Sequence, residues 1–576
     1  ESLRANTTGY YNTALGTQAL QAVTTGNRNI GIGRLAGHKI TTGLYNVNIG
    51  EWSNGSCITG THNVAIGTNT MAANTASYNT AVGGTALDTN STGTENAGFG
   101  NWSLTANTTA SYNTALGSNT LPANTTGANN TALGRAALYA NITGSNNSAI
   151  GSSALLANTT GSANVAVGKS SLVANTTASN NVAIGDACLY TNTTGASNTA
   201  VGKDSLRLNT TGSNNDAFGY QALYNNTTGG QNTASGYKAL FANTTGSDNV
   251  AFGKDALKAN TTASNNTALG RSALTANTTG AENVSVGSLA LDANTTGSTN
   301  TAVGNQALSA NTTASNNTAV GQASMANTTT GASNVAVGRS AASANTTGGN
   351  NVAIGMSTFD ANTTGSDNVA LGYYALGANT SASNNTAIGS GALVTNTTGD
   401  ENTFVGLNSG YYNTTGGKNT GIGNVAGSDT TTGSYNVSVG WNANPNSQTV
   451  SGQCTLGDSH ISNLRCNDTS ISSLSDSRDK TNIVDIPLGL AFLNTVRPVS
   501  FDWNRRDGSM TGKKDFGFIA QELKTASDAT DYSDHMRLVH DNNPDKLEAD
   551  PMKMFPILIK AIQELSAKNE ALVARV

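Results

Sequence analysis

A period of 17 residues constrains this chain more than any other feature. A pentad of the form Asn-(Thr/Val)-Ala-(Val/Ile/Leu)-Gly closes at Gly16, Gly33, Gly50 and Gly67, resumes at Gly83, and runs through Gly423 and Gly440 to a degenerate copy at Gly457. Every step is 17 residues except one of 16 between Gly67 and Gly83, which makes 27 copies. A unit such as 266–282 is too short for a pair of helices and suits one coil of a β-solenoid. Its two short apolar segments, Asn266-Thr-Ala-Leu-Gly270 and Ser272-Ala-Leu-Thr-Ala276, alternate with turn-forming Asn, Thr and Gly, which predicts two strands per coil.

Position by position, the fourth residue of the unit is a sizeable hydrophobe (Leu116, Leu133, Ile150, Val167, Ile184, Val201, Phe218) and the ninth is usually Leu (Leu104, Leu121, Leu138, Leu155, Leu172). These two rows are expected to form the core of the coil. The third residue is nearly always Ala (Ala115, Ala132, Ala149, Ala166), and strand alternation puts it on the face opposite the fourth. A strand apolar on both faces is normally covered on both, so the alanine row is expected to meet a neighbouring chain. At the usual strand spacing the stack would be a rod on the order of 130 Å long. Some coils depart from the pattern at the ninth position (Gly37, Asn54, Gly410, Gly427, Asn444), which reads as capping of terminal repeats.

Composition narrows the function classes. Charged residues are 11% and net charge is −5, with no Lys/Arg cluster, so the footprint of a nucleic-acid or anionic-membrane binder is missing. No apolar stretch is long enough to span a membrane. The four cysteines lack metal-ligand spacing, no cofactor motif is present, and the repeats hold no carboxylate pair or phosphate loop that would mark a substrate-directed enzyme.

The pentads Asn164-Val-Ala-Val-Gly168, Asn181-Val-Ala-Ile-Gly185 and Asn351-Val-Ala-Ile-Gly355 resemble the repeat motif in the heads of trimeric autotransporter adhesins, whose period is shorter. The resemblance implies an all-β parallel roll that associates as trimers.

After Gly457 the period stops, and a Ser/Asn-rich connector over 458–474 leads into a different, α+β module at 475–576. Helix is expected around 488–496, strands at 499–503 and 516–520, and a terminal helix over about 552–576. In that helix Leu558, Ile562, Leu565, Asn569, Leu572 and Val576 follow heptad spacing, a coiled-coil seam with one polar residue that would set register. Five blocks in order, Ser475-Asp-Ser-Arg-Asp-Lys480, Gly489-Leu-Ala-Phe-Leu493, Arg497-Pro-Val-Ser-Phe-Asp-Trp503, Gly517-Phe-Ile-Ala-Gln-Glu-Leu523 and Leu558-Ile-Lys-Ala-Ile-Gln-Glu-Leu565, resemble the C-terminal intramolecular chaperone of phage endosialidases and other tail fibres. Members of that family trimerise, assist assembly of the preceding stalk, and many cut themselves off. The resemblance implies Ser475 as nucleophile, Lys480 as its base, a scissile bond at Leu474–Ser475, and supporting roles for Asp476 and Arg478. Chemically, a Ser hydroxyl needs a base, and Lys serves only when its surroundings favour the neutral amine.

The function expected is therefore a homotrimeric viral tail fibre or comparable extracellular appendage, with a host receptor or glycan as a further partner. A cellular adhesin or glycosylated filament is the alternative. Asn124, Asn158, Asn175, Asn243 and Asn277 each begin an N-x-[ST] acceptor, and they read either as glycosylation sites or as a ladder of turn-forming amides.

Overall fold

The computed structural model describes residues 1–461, 464–465, 475–505, 511–541, 545 and 547–576. They divide into two compact units, Glu1–Asn351 and Val352–Val576. In the first, twenty strands run from β1 (Thr13–Leu15) to β20 (Val335–Val337), each three residues long. In the second, seven more run from β21 (Val352–Ile354) to β27 (Cys454–Leu456) before the non-repetitive region begins.

Within each unit every strand pairs in parallel with the same three residues of the next coil. Thr267, Ala268 and Leu269 stand opposite Val284, Ser285 and Val286, for example. There is one strand per coil rather than the two expected: the Ser272–Ala276 segment is a run of turns. Its residues at the seventh and ninth positions adopt left-handed backbone (Ser272 φ 56, Leu274 φ 53), as does the last residue of the unit (Glu282 φ 60). Such conformations cost about 1 kcal/mol or more each outside glycine. Bonds between coils offset them, since Ser272 N donates to Lys254 O and Leu274 N to Ala290 O at 2.9 and 3.0 Å. The pentad glycine is required outright: Gly270 has φ +139, and a Cβ there would lie 2.4 Å from Gly287 O.

Two asparagine ladders line the inside of the coil. At the first position, Asn266 N donates to Asn249 Oδ1 (3.0 Å) and Asn266 Nδ2 to Gly280 O (3.0 Å). At the twelfth, Asn277 Nδ2 donates to Asn260 Oδ1 (3.0 Å) and to the same Gly280 O (2.8 Å). The first row is buried from Asn29 to Asn436 and the second from Asn74 to Asn413. Buried amides that are paired in this way are stabilising, and unpaired they would be costly, so the ladders hold the repeat to its length.

The expected core is corrected in one respect. The alanine row points into the coil, where Ala115, Ala132, Ala149 and Ala166 are fully buried with the ninth-position leucines and the eighth-position alanines. The fourth-position row points out: Leu116 is 45% exposed and Phe218 42%. Alternation was read correctly, but the coil is too narrow to hold two large rows beside the amide ladders, so the small residue goes inside.

Inner volume is conserved locally. Phe404 occupies the alanine row, fully enclosed, and its own coil and the next yield to it: a Cβ on Gly410, Gly421 or Gly427 would lie 2.7, 2.3 or 2.8 Å from its ring. The ninth-position glycines Gly410 and Gly427 are thus space for one phenylalanine rather than caps.

The non-repetitive region has helices α1 (Leu490–Leu493), α2 (Ala520–Asp528), α3 (Ser533–Met536) and α4 (Phe555–Val573). Its hairpins are Val499–Asp502 with Lys514–Gly517 and Val539–His540 with Glu548–Ala549. The chain turns into helix at Ala520, which ends the expected 516–520 strand early. Phe492, Leu523, Met536, Leu538, Met554 and Ile557 form its core.

Two outcomes are expected. Phe404→Ala should destabilise its unit by about 3–5 kcal/mol in denaturant titration, and adding Gly421→Ala should recover part of the loss, whereas Gly421→Ala alone should destabilise. Cys188 is buried at the eighth position and its thiol is pushed up to about 12 by desolvation, so maleimide at pH 8 should modify it only after the coil unfolds.

Candidate self-processing site

The residues expected to carry chemistry meet in one turn. Asp476 caps a short 3-10 turn, Ser477–Asp479, by accepting from Arg478 N at 2.9 Å. That turn reverses the chain, and Lys480 Nζ returns over the start of the segment to donate to Ser475 Oγ at 2.5 Å and to Ser475 O at 3.3 Å. Arg478 also pairs with Asp476 through its guanidinium, Nη2 to Oδ2 at 2.5 Å. The Arg478 contacts hold the Asp476 carboxyl below the usual carboxylate value.

The dyad geometry is in place within hydrogen-bond reach, which is the first requirement of a Ser nucleophile and its base. The second requirement is a neutral amine, which burial favours. Both Ser475 and Lys480 are exposed in the single chain. Leu474, the other side of the expected scissile bond, lies outside the described residues, as does most of the 458–474 connector.

Lys480 also opens onto a feature the sequence did not suggest. It lines a cleft of about 590 Å³ together with Ile483, Val484, Leu488, Tyr532, Met536 and Ile557. The last of these belongs to α4, so the terminal helix helps to shape the neighbourhood of the dyad. Glu564, also on α4, accepts from Leu490 N at 2.9 Å and ties the helix to α1.

Helix α4 uses only one face in this packing: Ile557 and Ala561 are buried. The heptad seam lies beside that face, with Leu558, Ile562, Leu565 and Leu572 all exposed, Ile562 at 59%. Asn569 and Val576 are exposed as well.

Residues 475–532 match the family described as the chaperone of endosialidase. The match opens on Ser475 and contains the whole dyad turn. It is preceded by the solenoid, so the chain joins a long parallel β-structure to a chaperone-of-endosialidase segment, the combination of a tail-fibre-like structural protein. No curated protein and no solved structure matches the chain. Among the described residues no helix is long and apolar enough to cross a membrane, and no group of His, Cys, Asp or Glu could hold a metal ion.

The asparagines at the glycosylation sequons are accounted for by the fold. Asn124, Asn158, Asn175, Asn243 and Asn277 are fully buried. Each spends its Nδ2 on the ladder and on a turn carbonyl, as Asn124 does on Asn107 Oδ1 (3.0 Å) and Gly127 O (2.9 Å). The folded coil has no room for a glycan at that nitrogen, and the turn-ladder reading is the one the geometry fits.

Replacing Asp476 by Asn keeps a cap acceptor and removes the exposed ion pair, a contact of small energetic weight. Processing by Asp476→Asn chains should slow by no more than about tenfold in a time course followed by gel electrophoresis.

Proposed function

We propose that this chain is the subunit of a homotrimeric extracellular fibre, a virion tail fibre in the first instance, in which the solenoid is the stalk or attachment surface. The C-terminal segment drives trimerisation and folding and is then released by cleavage at Leu474–Ser475. The observation that carries the reading is the dyad turn, Lys480 Nζ on Ser475 Oγ at 2.5 Å, inside a segment matched to the chaperone of endosialidase.

Two exposed apolar features support self-association. The fourth-position row leaves an aliphatic stripe along the sheet face of the coils, and the α4 seam leaves a second one at the C-terminal end. Surfaces of this kind on soluble chains mark contacts with partners. The dyad supplies a reason to couple the two events. Packing of copies around residues 475–480 would withdraw Lys480 from water, favour its neutral amine and let Oγ–H give up its proton, so cutting would follow assembly.

The chemical step is intramolecular acyl transfer: Ser475 Oγ attacks the Leu474 carbonyl carbon, the Leu474–Ser475 amide breaks to leave an ester and a free α-amine, and water then releases the carboxyl of Leu474. Intact mass under denaturing conditions tests the reading. Parent chains should end at Leu474, while Ser475→Ala and Lys480→Met chains remain full length. Full-length parent chains in an assembled fibre would leave the segment as a permanent clamp and remove the protease from the account.

A further inference from the structure

The outward face of the coils in residues 1–351 is built from the first and third residues of each strand. Across the twenty strands Asp216 is the one charged residue on that face, and in the aliphatic row Ser235 is the one polar residue. The two lie on adjacent coils: Asp216 stands opposite Thr233, and Phe218 opposite Ser235. The next coil brings Phe252 opposite Ser235, so two phenylalanines, each more than two-fifths exposed, flank one serine in a row otherwise made of Val, Ile, Leu and Phe.

A large-small-large pattern of this kind is a mark of confined space. Inside the coil, where confinement is visible, Phe404 is matched by Gly410, Gly421 and Gly427. A row open to water has no volume to conserve, because size matters only where packing is dense. The near absence of charge points the same way, since a free surface of this length would normally be charged and mixed.

Near-identical coils also create a problem for any assembly of copies. Sliding one copy past another by a single coil, about 4.8 Å, sets almost the same face against itself. A lone polar layer in an apolar seam is a known way to remove that degeneracy, at some cost in stability.

We infer that this face is packed against other copies of the same chain, and that the layer Asp216, Phe218, Ser235 and Phe252 fixes their axial register. The inference rests on the self-association proposed above and adds where and how the copies align. In register, serines of all copies share a height, their flanking phenylalanines lean into the space the serines leave, and the Asp216 side chains meet only one another and the neighbouring Thr233 and Ser235 hydroxyls. One coil out of register, phenylalanine would meet serine and the carboxylate would face aliphatic side chains.

The test uses the full chain carrying Ser475→Ala, with light scattering over a dilution series and thermal unfolding followed by circular dichroism. Ser235→Phe should lower the unfolding midpoint by roughly 5 °C or more, because three consecutive phenylalanines overfill the layer. The pair Ser235→Phe with Phe252→Ser moves the notch by one coil in every copy and should restore most of the loss. When this pair is co-expressed with differently tagged parent chains, like should assemble with like. A Ser235→Phe chain as stable and as oligomeric as its parent, or statistical mixing in the co-expression, would overturn the register layer while leaving self-association standing. A parent chain that stays monomeric at every concentration would instead remove the self-association itself.

Discussion

The structure depends on buried amides stacked at a fixed interval. Asparagines at the first and twelfth positions bond from coil to coil, in most coils to the counterpart 17 residues away, as Asn124 does to Asn107 and Asn266 to Asn249. An unpaired amide inside the coil would cost on the order of 1–3 kcal/mol, so the length of the repeat is held by polar groups rather than by its apolar ones. The consequence is a narrow coil. Two amide rows, a leucine row and left-handed turns leave space for alanine on the inner side of the strand, and the larger aliphatic residue must stand outside. The outer stripe, and with it the proposed contact between copies, is what the ladders leave over.

The C-terminal region repeats this division on one helix. Ile557 and Ala561 hold α4 on its own domain, Leu558 lies at the edge of that contact beside Leu493 and Phe518, and Ile562 and Leu565, further round the helix, are exposed. The dyad sits at the same kind of boundary: its hydrogen bond forms within a single turn of chain, and among the described residues both partners are exposed. On the function proposed above, packing of copies supplies the desolvation that this local geometry lacks, so the site would act once, after assembly.

Much of this was legible in the sequence, and the exceptions have physical causes. The period gave coil number and parallel pairing, because a glycine forced to φ near +130 recurs wherever the backbone of the next coil approaches. Alternation gave the parity of Ala115 and Leu116 but not which of them is inside, since that depends on the coil's diameter and hence on how the turn segment folds. The Ser272–Ala276 stretch reads as strand by composition, and its left-handed residues, a serine and a leucine, carry no signature of that conformation. Phe404 held the missing clue: a phenylalanine in the alanine row six residues before a glycine in the leucine row shows that the two rows share one space. At the C-terminus the resemblance to the intramolecular chaperone implied that Ser475 and Lys480 meet, as they do; their spacing alone carries no such signal. The cleft beside Lys480 was not predictable, because its lining comes from segments about 50 and 75 residues apart in sequence, brought together by the core in which Met536 and Ile557 pack.

The outward placement of the aliphatic row, covered by other copies, is tested most directly by thiol reactivity at one of its positions. In assembled chains carrying Leu269→Cys, maleimide labelling can be mapped by mass spectrometry with the buried Cys188 as an internal reference. A covered outer row predicts that Cys188 and the introduced thiol are both protected in the assembly, and that the introduced thiol alone becomes reactive when copies are separated under conditions that keep the coils folded. Labelling at position 269 in the intact assembly as fast as in the denatured chain would contradict it, leaving the outer row in water.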